Sequence, residues 1–179
     1  QLREPVSLKC VAKRTNVSSN TVSRILDTIR YSCPSLKDTI AIDEFKGNAD
    51  TGKYQCILVN PKQHTIMDIL PDRTQSHLSA YFREMNRSQR YRVKFFVCDM
   101  RQPYVDLAHA YFPNQWYQGF ESCAATYRHW SEYILNAFKY NLTNGTTEGF
   151  NNKIKVLKRI SYGIRNFDRF RTRILRSCN

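Results

Sequence analysis

The chain has 179 residues, 41% of them hydrophobic, with a formal net charge of +13 and a pI near 9.7. That length holds one ordinary core with at most a small attached module. No apolar run reaches the roughly 18 residues a membrane span needs, the first eight residues hold no signal-peptide core, and the six scattered cysteines include no C-x-x-C pair, so no zinc site is read and reduced cytosolic thiols are expected.

Residues 7 to 29 open the pattern with two short helices. Leu8, Val11 and Ala12 have helical spacing, Thr15-Asn16 interrupts it, and Val17 is expected to plug the corner. Ser18 is a good N-cap, because its hydroxyl accepts from a free first-turn amide. Val22, Ile25 and Leu26 then form a second apolar stripe. Two helices joined this tightly fit a helix-turn-helix, with Ser19, Asn20, Ser23 and Arg24 outward as short polar groups suited to bases and phosphates. Any small helical hairpin gives the same spacing.

From Thr39 the period changes. Thr39 to Ile42 is an apolar run ending at Asp43-Glu44-Phe45. Lys53–Val59 and His64–Leu70 read as two more strands, bounded by Gly52, Asn60-Pro61 and Pro71-Asp72, which predicts an antiparallel meander. Ser76–Arg87 carries Leu78, Tyr81, Phe82 and Met85 at helical spacing. Val93–Cys98 is a fourth strand ending at Asp99, and Pro103–Phe112 a helix with proline in its first turn. The order is α/β. A further strand is expected after Asn114, yet Gln115-Trp116-Tyr117 runs into helical material with an apolar face of Cys123, Tyr127, Trp130, Ile134, Leu135 and Phe138. Asn144-Gly145 is a turn signal, followed by helices over about Thr147–Arg159 and Asn166–Arg176, with a break at Tyr162-Gly163.

Charge concentrates at the C-terminal end. Residues 151 to 179 hold Lys153, Lys155, Lys158, Arg159, Arg165, Arg169, Arg171, Arg173 and Arg176 against one acid, Asp168. Most charge runs are solvated helix faces. Nine cations to one acid repel one another unless an anion neutralises them, and the expected anion is nucleic acid.

Asp43 and Asp99 each follow an apolar strand, and strand ends open onto ligand clefts in α/β sheets. Neighbouring carboxylates there suit Mg²⁺, which takes hard oxygen ligands and keeps several waters. Two such ions about 4 Å apart can activate the attacking oxygen and stabilise the leaving oxygen of a phosphoryl displacement. Glu148 begins a helix, with Asn152, Lys155 and Arg159 following on its face. Phe150, Ile154 and Leu157 lie opposite, toward a core. Taken singly, each acid reads equally as a turn Asp or a first-turn Glu, and Glu44, Asp68 and Asp72 are rivals that spacing does not exclude.

Longer motifs carry a resemblance. AIDEFKGN at 41–48, KYQCILVNP at 53–61, ILPDRT at 69–74, VCDM at 97–100, PYVDLAHAYFPN at 103–114 and LTNGTTEGFNNKIKVLKRISYGIRNFDRFRTRIL at 142–175 closely resemble the DDE transposases of the ISL-three group of bacterial insertion sequences. The resemblance implies an RNase H-like mixed sheet flanked by helices, with a small N-terminal helix-turn-helix and C-terminal basic helices. Residues 1–33 would be the DNA-binding region and 38–179 the catalytic domain. The family's further strand and long helical insertion are missing between residues 114 and 116. Residue by residue, Asp43, Asp99 and Glu148 take the place of the three catalytic, metal-holding acids, with Mg²⁺ or Mn²⁺ as cofactor, two per site.

The implied function is a transposase that binds insertion-sequence ends and catalyses phosphodiester cleavage and strand transfer. Double-stranded DNA of the element ends and the target is the partner. A homodimer or larger assembly on DNA is expected, with no membrane, in the bacterial cytosol at the nucleoid. Expected DNA contacts are Ser19, Asn20, Ser23 and Arg24, then Asn152, Lys153, Lys155, Lys158, Arg159, Arg165, Arg169 and Arg173. Two alternatives stay open: a catalytically inactive, transposase-derived DNA-binding regulator, and a general RNase H-like nuclease.

Overall fold

The computed structural model describes residues 4, 6–47, 50–99, 101–113, 131, 135–136, 139–140, 144–161 and 164–178. Of the helical stretch expected after Gln115 only residues 131, 135–136 and 139–140 are described; they are helical, and Leu135, expected on the apolar face, is 65% exposed, while the missing segment at 114–116 lies outside the described residues.

Four strands form one mixed sheet in the order β3-β2-β1-β4. They are β1 (Thr39–Lys46), β2 (Tyr54–Asn60), β3 (Thr65–Leu70) and β4 (Phe95–Val97). β1, β2 and β3 make the antiparallel meander the turn signals predict, with a register shift at Leu58/Val59. β4 arrives through helices and pairs parallel to β1, with Ala41 opposite Val97. A parallel neighbour requires a crossover, supplied here by α3 (Gln75–Glu84) and α4 (Arg87–Arg92). The single helix expected over 76–87 is two. Met85 turns extended and buries in the core, and Asn86 accepts from Ser88 N–H at 2.9 Å to start α4. The short run β4 covers only the middle of the expected strand.

The strand period of two sends alternate residues to opposite faces. Ile40, Ile42, Cys56 and Leu58 face Leu78 and Phe82 of α3, and Tyr104, Leu107 and Ala108 of α5 (Gln102–Tyr111). Ala41, Phe45, Ile57 and Val59 face Phe150, Ile154 and Leu157 of α6 (Gly145–Ile160), and Phe170, Ile174 and Leu175 of α7 (Phe167–Cys178). The result is a helix–sheet–helix arrangement, in which each fully buried Leu, Ile or Phe contributes roughly 1.5–3 kcal/mol. Among the described residues no helix is long and apolar enough to cross a membrane.

β1 corrects one expectation. It does not stop at Asp43 but runs on to Lys46, pairing Asp43 with Ile57 and Glu44 with Cys56. The two acids continue the strand because each finds polar partners, Asp43 the Asn151 amide and Glu44 the guanidinium groups of Arg73 and Arg101.

The N-terminal hairpin is α1 (Leu8–Thr15) and α2 (Ser19–Thr28), each capped by a serine hydroxyl: Ser7 accepts from Cys10 N–H and Ser18 from Thr21 N–H. Asn16 turns the corner in a left-handed conformation, φ 53°. Val11, Ala12 and Val22 close a small core of their own. Val17 does not plug the corner. The turn is held by backbone hydrogen bonds, including Val17 N–H to Ala12 O at 3.0 Å, and the side chain is left 39% exposed. Ile25 is likewise exposed, because Val22 and Leu26 already fill the buried stripe.

Candidate functional site

The parallel β1–β4 pair sets the site. Ala41 lies opposite Val97, and two residues further along each chain stand Asp43 and Asp99. Asp43 shares its sheet face with Ala41 and Phe45, so its carboxylate meets α6. Asp43 Oδ1 accepts from the Glu44 N–H at 2.7 Å, and Oδ2 accepts from Asn151 Nδ2 at 2.7 Å. Asp99 accepts from Arg101 Nε at 3.1 Å, while its Oδ1 is buried without a donor among the described residues. Glu148 occupies the exposed first turn of α6, where the helix N-terminus favours an acid.

Electrostatics tie these acids together. Burial pushes the Asp43 carboxyl above the ordinary range, and the charges of Asp99, Glu44 and Glu148 push the same way, against the Glu44 N–H. Burial also raises Asp99, against the Arg101 guanidinium. Like charges gathered in a half-buried place are stabilised by a cation. The donor chemistry is all hard oxygen, and both Asp99 Oδ1 and Asn151 Oδ1 are buried acceptors lacking a donor among the described residues, so the residues fit a divalent cation. Among the described residues, however, no three His, Cys, Asp or Glu side chains converge as a ready metal set. Glu148, exposed in the first turn of α6, adds its charge to that of the two aspartates.

The rival acids are otherwise engaged. Glu44 points to the opposite face, where it pairs with Arg73 and with Arg101 at 3.0 Å and accepts from the Tyr104 hydroxyl at 3.4 Å. Asp68 is buried and pairs with Arg171. Asp72 accepts from Thr74 N–H at 2.7 Å at the start of α3.

The expected DNA-contacting residues divide. Asn20 and Arg24 on α2 are exposed and Ser19 and Ser23 half-buried; Asn152, Lys153, Lys155, Arg159 and Arg165 are exposed. Lys158 is pinned, donating to Lys46 O at 2.9 Å and Gly47 O at 3.0 Å. Two residues of α7 do not join that surface. Arg169 forms a two-pronged pair with Asp27, at 2.6 and 2.7 Å. Arg173 is 0% exposed and donates to the backbone oxygens of Glu4 and Val6. The structure thus corrects Arg173 as a phosphate contact: an arginine wrapped this way cannot reach solvent.

Sequence reasoning missed Asn151, Arg101 and Arg73. A signal existed for Asn151, a polar residue inside the buried row Thr147, Phe150, Ile154, Leu157 of α6. Nothing local marked Arg73 or Arg101, whose partner Glu44 is distant in sequence.

The family model of the ISL-three DDE transposases, described as a transposase, matches residues 40–117 and 114–174, two pieces that overlap at residues 114–117. The chain belongs to this transposase family. A Lactococcus lactis subsp. lactis protein called an ATP-dependent protease is 40% identical over 58 residues, 32% of this chain and 19% of that protein. The chain therefore spans about a fifth of that relative's length. The run GNADTGKY at 47–54 has the glycine-lysine spacing of a phosphate loop, but it joins β1 to β2 rather than a strand to a helix, and ends in Tyr54 instead of Ser or Thr. It lacks the helix N-terminus and hydroxyl on which phosphate binding depends. No solved structure matches the chain.

Proposed function

We propose that this transposase binds insertion-sequence ends and catalyses metal-dependent cleavage and strand transfer at Asp43, Asp99 and Glu148. The observation that carries the reading is the pairing of β4 parallel to β1, with Asp43, held by Asn151 of α6, in electrostatic reach of Asp99 just beyond the end of β4. The sheet order β3-β2-β1-β4 fits an RNase H-like core. Bound Mg²⁺ or Mn²⁺, two per site, supplies Lewis acidity to the attacking and leaving oxygens of an in-line displacement.

The chain's own residues do the rest. Asp43 and Asp99 hold the cations from the sheet, and Glu148 completes the set from α6. Asn152, Lys153, Lys155 and Arg159, exposed on the same helix, hold the phosphate backbone against the acids. On α2, Asn20 and Arg24, with Ser19 and Ser23, read the element end as the second helix of a helix-turn-helix. Synapsis of two ends uses a dimer or larger assembly.

The test is cleavage of a labelled element-end duplex by the intact protein with Mg²⁺, with EDTA, and with Glu148→Gln. We expect nicking only with metal, reduced at least 100-fold by the substitution. Tight DNA binding without cleavage under Mg²⁺ or Mn²⁺ would replace this reading with that of a DNA-binding regulator.

A further inference from the structure

Asn151 is an amide in an apolar row. It lies on the sheet-facing side of α6 and is 7% exposed. Its Nδ2 donates to Asp43 Oδ2 at 2.7 Å and lies 3.4 Å from Glu44 O. That side of the amide straps α6 to β1. Its other side has no such use: Oδ1 is buried and accepts from nothing among the described residues. Asp99 Oδ1 is in the same condition, two residues beyond the end of β4, the strand paired with β1.

A buried acceptor without a donor costs free energy, and native proteins keep few of them. A strap alone is served as well by a serine or a lysine stem. An amide fits when one end must donate to a carboxylate while the other offers a neutral oxygen. Oxygens of this kind suit a hard divalent cation or a water of its hydration shell. Groups that orient a ligating carboxylate also tune the affinity of the site.

We propose that Asn151 is a positioning residue of the divalent-cation site, fixing the Asp43 carboxylate through Nδ2 and offering Oδ1 to the cation or its hydration water. The inference rests on the three-carboxylate reading. It adds a fourth side chain, one turn beyond Glu148, that faces Asp43 directly.

The test is Mn²⁺ binding to the metal-free full chain by calorimetry, with thermal midpoints in EDTA recorded alongside. Asn151→Ala weakens Mn²⁺ affinity by about 10- to 100-fold. Asn151→Asp restores an oxygen and adds a charge but not the Nδ2 donor to Asp43, so it binds Mn²⁺ more tightly than Asn151→Ala. A lower midpoint for Asn151→Ala with Mn²⁺ affinity unchanged within twofold makes Asn151 a packing residue and overturns the inference. If Asn151→Ala does not fold, the near-isosteric Asn151→Leu, which has neither the donor nor the oxygen, decides, and Mn²⁺ affinity within twofold of the unsubstituted chain overturns it. Absence of Mn²⁺ binding by the unsubstituted chain is a different result, because it removes the three-carboxylate reading itself.

Discussion

Two basic helices pack on the same face of the sheet and use their charges in opposite ways. On α6 the cations Lys153, Lys155 and Arg159 stand in solvent, with only Lys158 turned back onto backbone carbonyls. On α7 the arginines turn inward: Arg169 to Asp27, Arg171 to Asp68, Arg173 to the backbone of Glu4 and Val6. In sequence the two form one run of positive charge. In the fold one is a surface open to an anion and the other a set of ties between distant parts of the chain. Arginine suits the second role, because its planar fork meets a carboxylate on two prongs and remains charged when buried. The inward cations of α7 are all arginines. The two charged residues of α6 nearest Glu148 are lysines.

The comparison breaks most sharply at Asp68. It is 4% exposed, with Arg171 Nε at 2.7 Å from its carboxylate and the Tyr81 hydroxyl donating at 3.1 Å. Removing one partner of a buried pair strands the other charge, so Asp68→Ala should cost about 3–5 kcal/mol. Lys155→Ala on the exposed face should stay within about 0.5 kcal/mol. Urea unfolding of the two variants measures the contrast. Equal, small losses would mean that α7 is as loosely charged as α6. Replacing both partners, Asp68→Leu with Arg171→Met, should recover most of the loss, since no charge then remains unpaired.

This contrast explains what could be read beforehand. The strands announced themselves through period two and through turns at Gly52, Asn60-Pro61 and Pro71-Asp72. The two helical faces of α6 were legible because Phe150, Ile154 and Leu157 recur on one side. Asp43 and Asp99 could be picked out because each closes an apolar run. The inward arginines could not, since Asp27 and Asp68 stand 142 and 103 residues from their partners. Local spacing holds no record of pairs that only the folded sheet brings together. The same limit hid Arg101 and Arg73, which meet at Glu44 across 57 and 29 residues. The continuation of β1 past Asp43 was missed for a related reason: a charged strand end looks like a loop until its partners are seen.

The exposed face of α6 gives the next effect in size. Each phosphate that a side-chain cation neutralises steepens the fall of log K with log salt by about 0.9. Lys153→Gln and Lys155→Gln should each make that slope shallower by this amount and weaken binding to duplex DNA on the order of fivefold at roughly 0.15 M salt. Thermal midpoints should stay where they were. On α7 the pattern inverts, and Arg171→Gln should lose stability with no change in salt slope once unfolding is accounted for. A salt slope that moved with Arg171 and not with Lys155 would reverse the assignment of the two helices.

The smallest effect falls at the joint between the N-terminal hairpin and the sheet. Arg169 closes on Asp27 with two prongs, and that hydrogen bond holds the Asp27 carboxyl below its ordinary range, against the opposing effect of burial. A depressed carboxyl contributes to docking above the unfolded value near 3.9, and the contribution is lost as pH falls through the lower folded value. The hairpin should therefore stay seated at neutral pH and loosen only in acid below about pH 4. Amide exchange of α2 followed from about pH 7 down to about pH 3 reads this directly. In Asp27→Asn the tie should already be weak at neutral pH, so exchange in α2 rises there and its dependence on acid disappears, while β1 and β2 are unaffected. Because both side chains are more than a third exposed, salt should weaken the tie as well. Protection of α2 that ignored pH, salt and the substitution alike would show that the apolar contacts of Leu26, and not this ion pair, seat the hairpin.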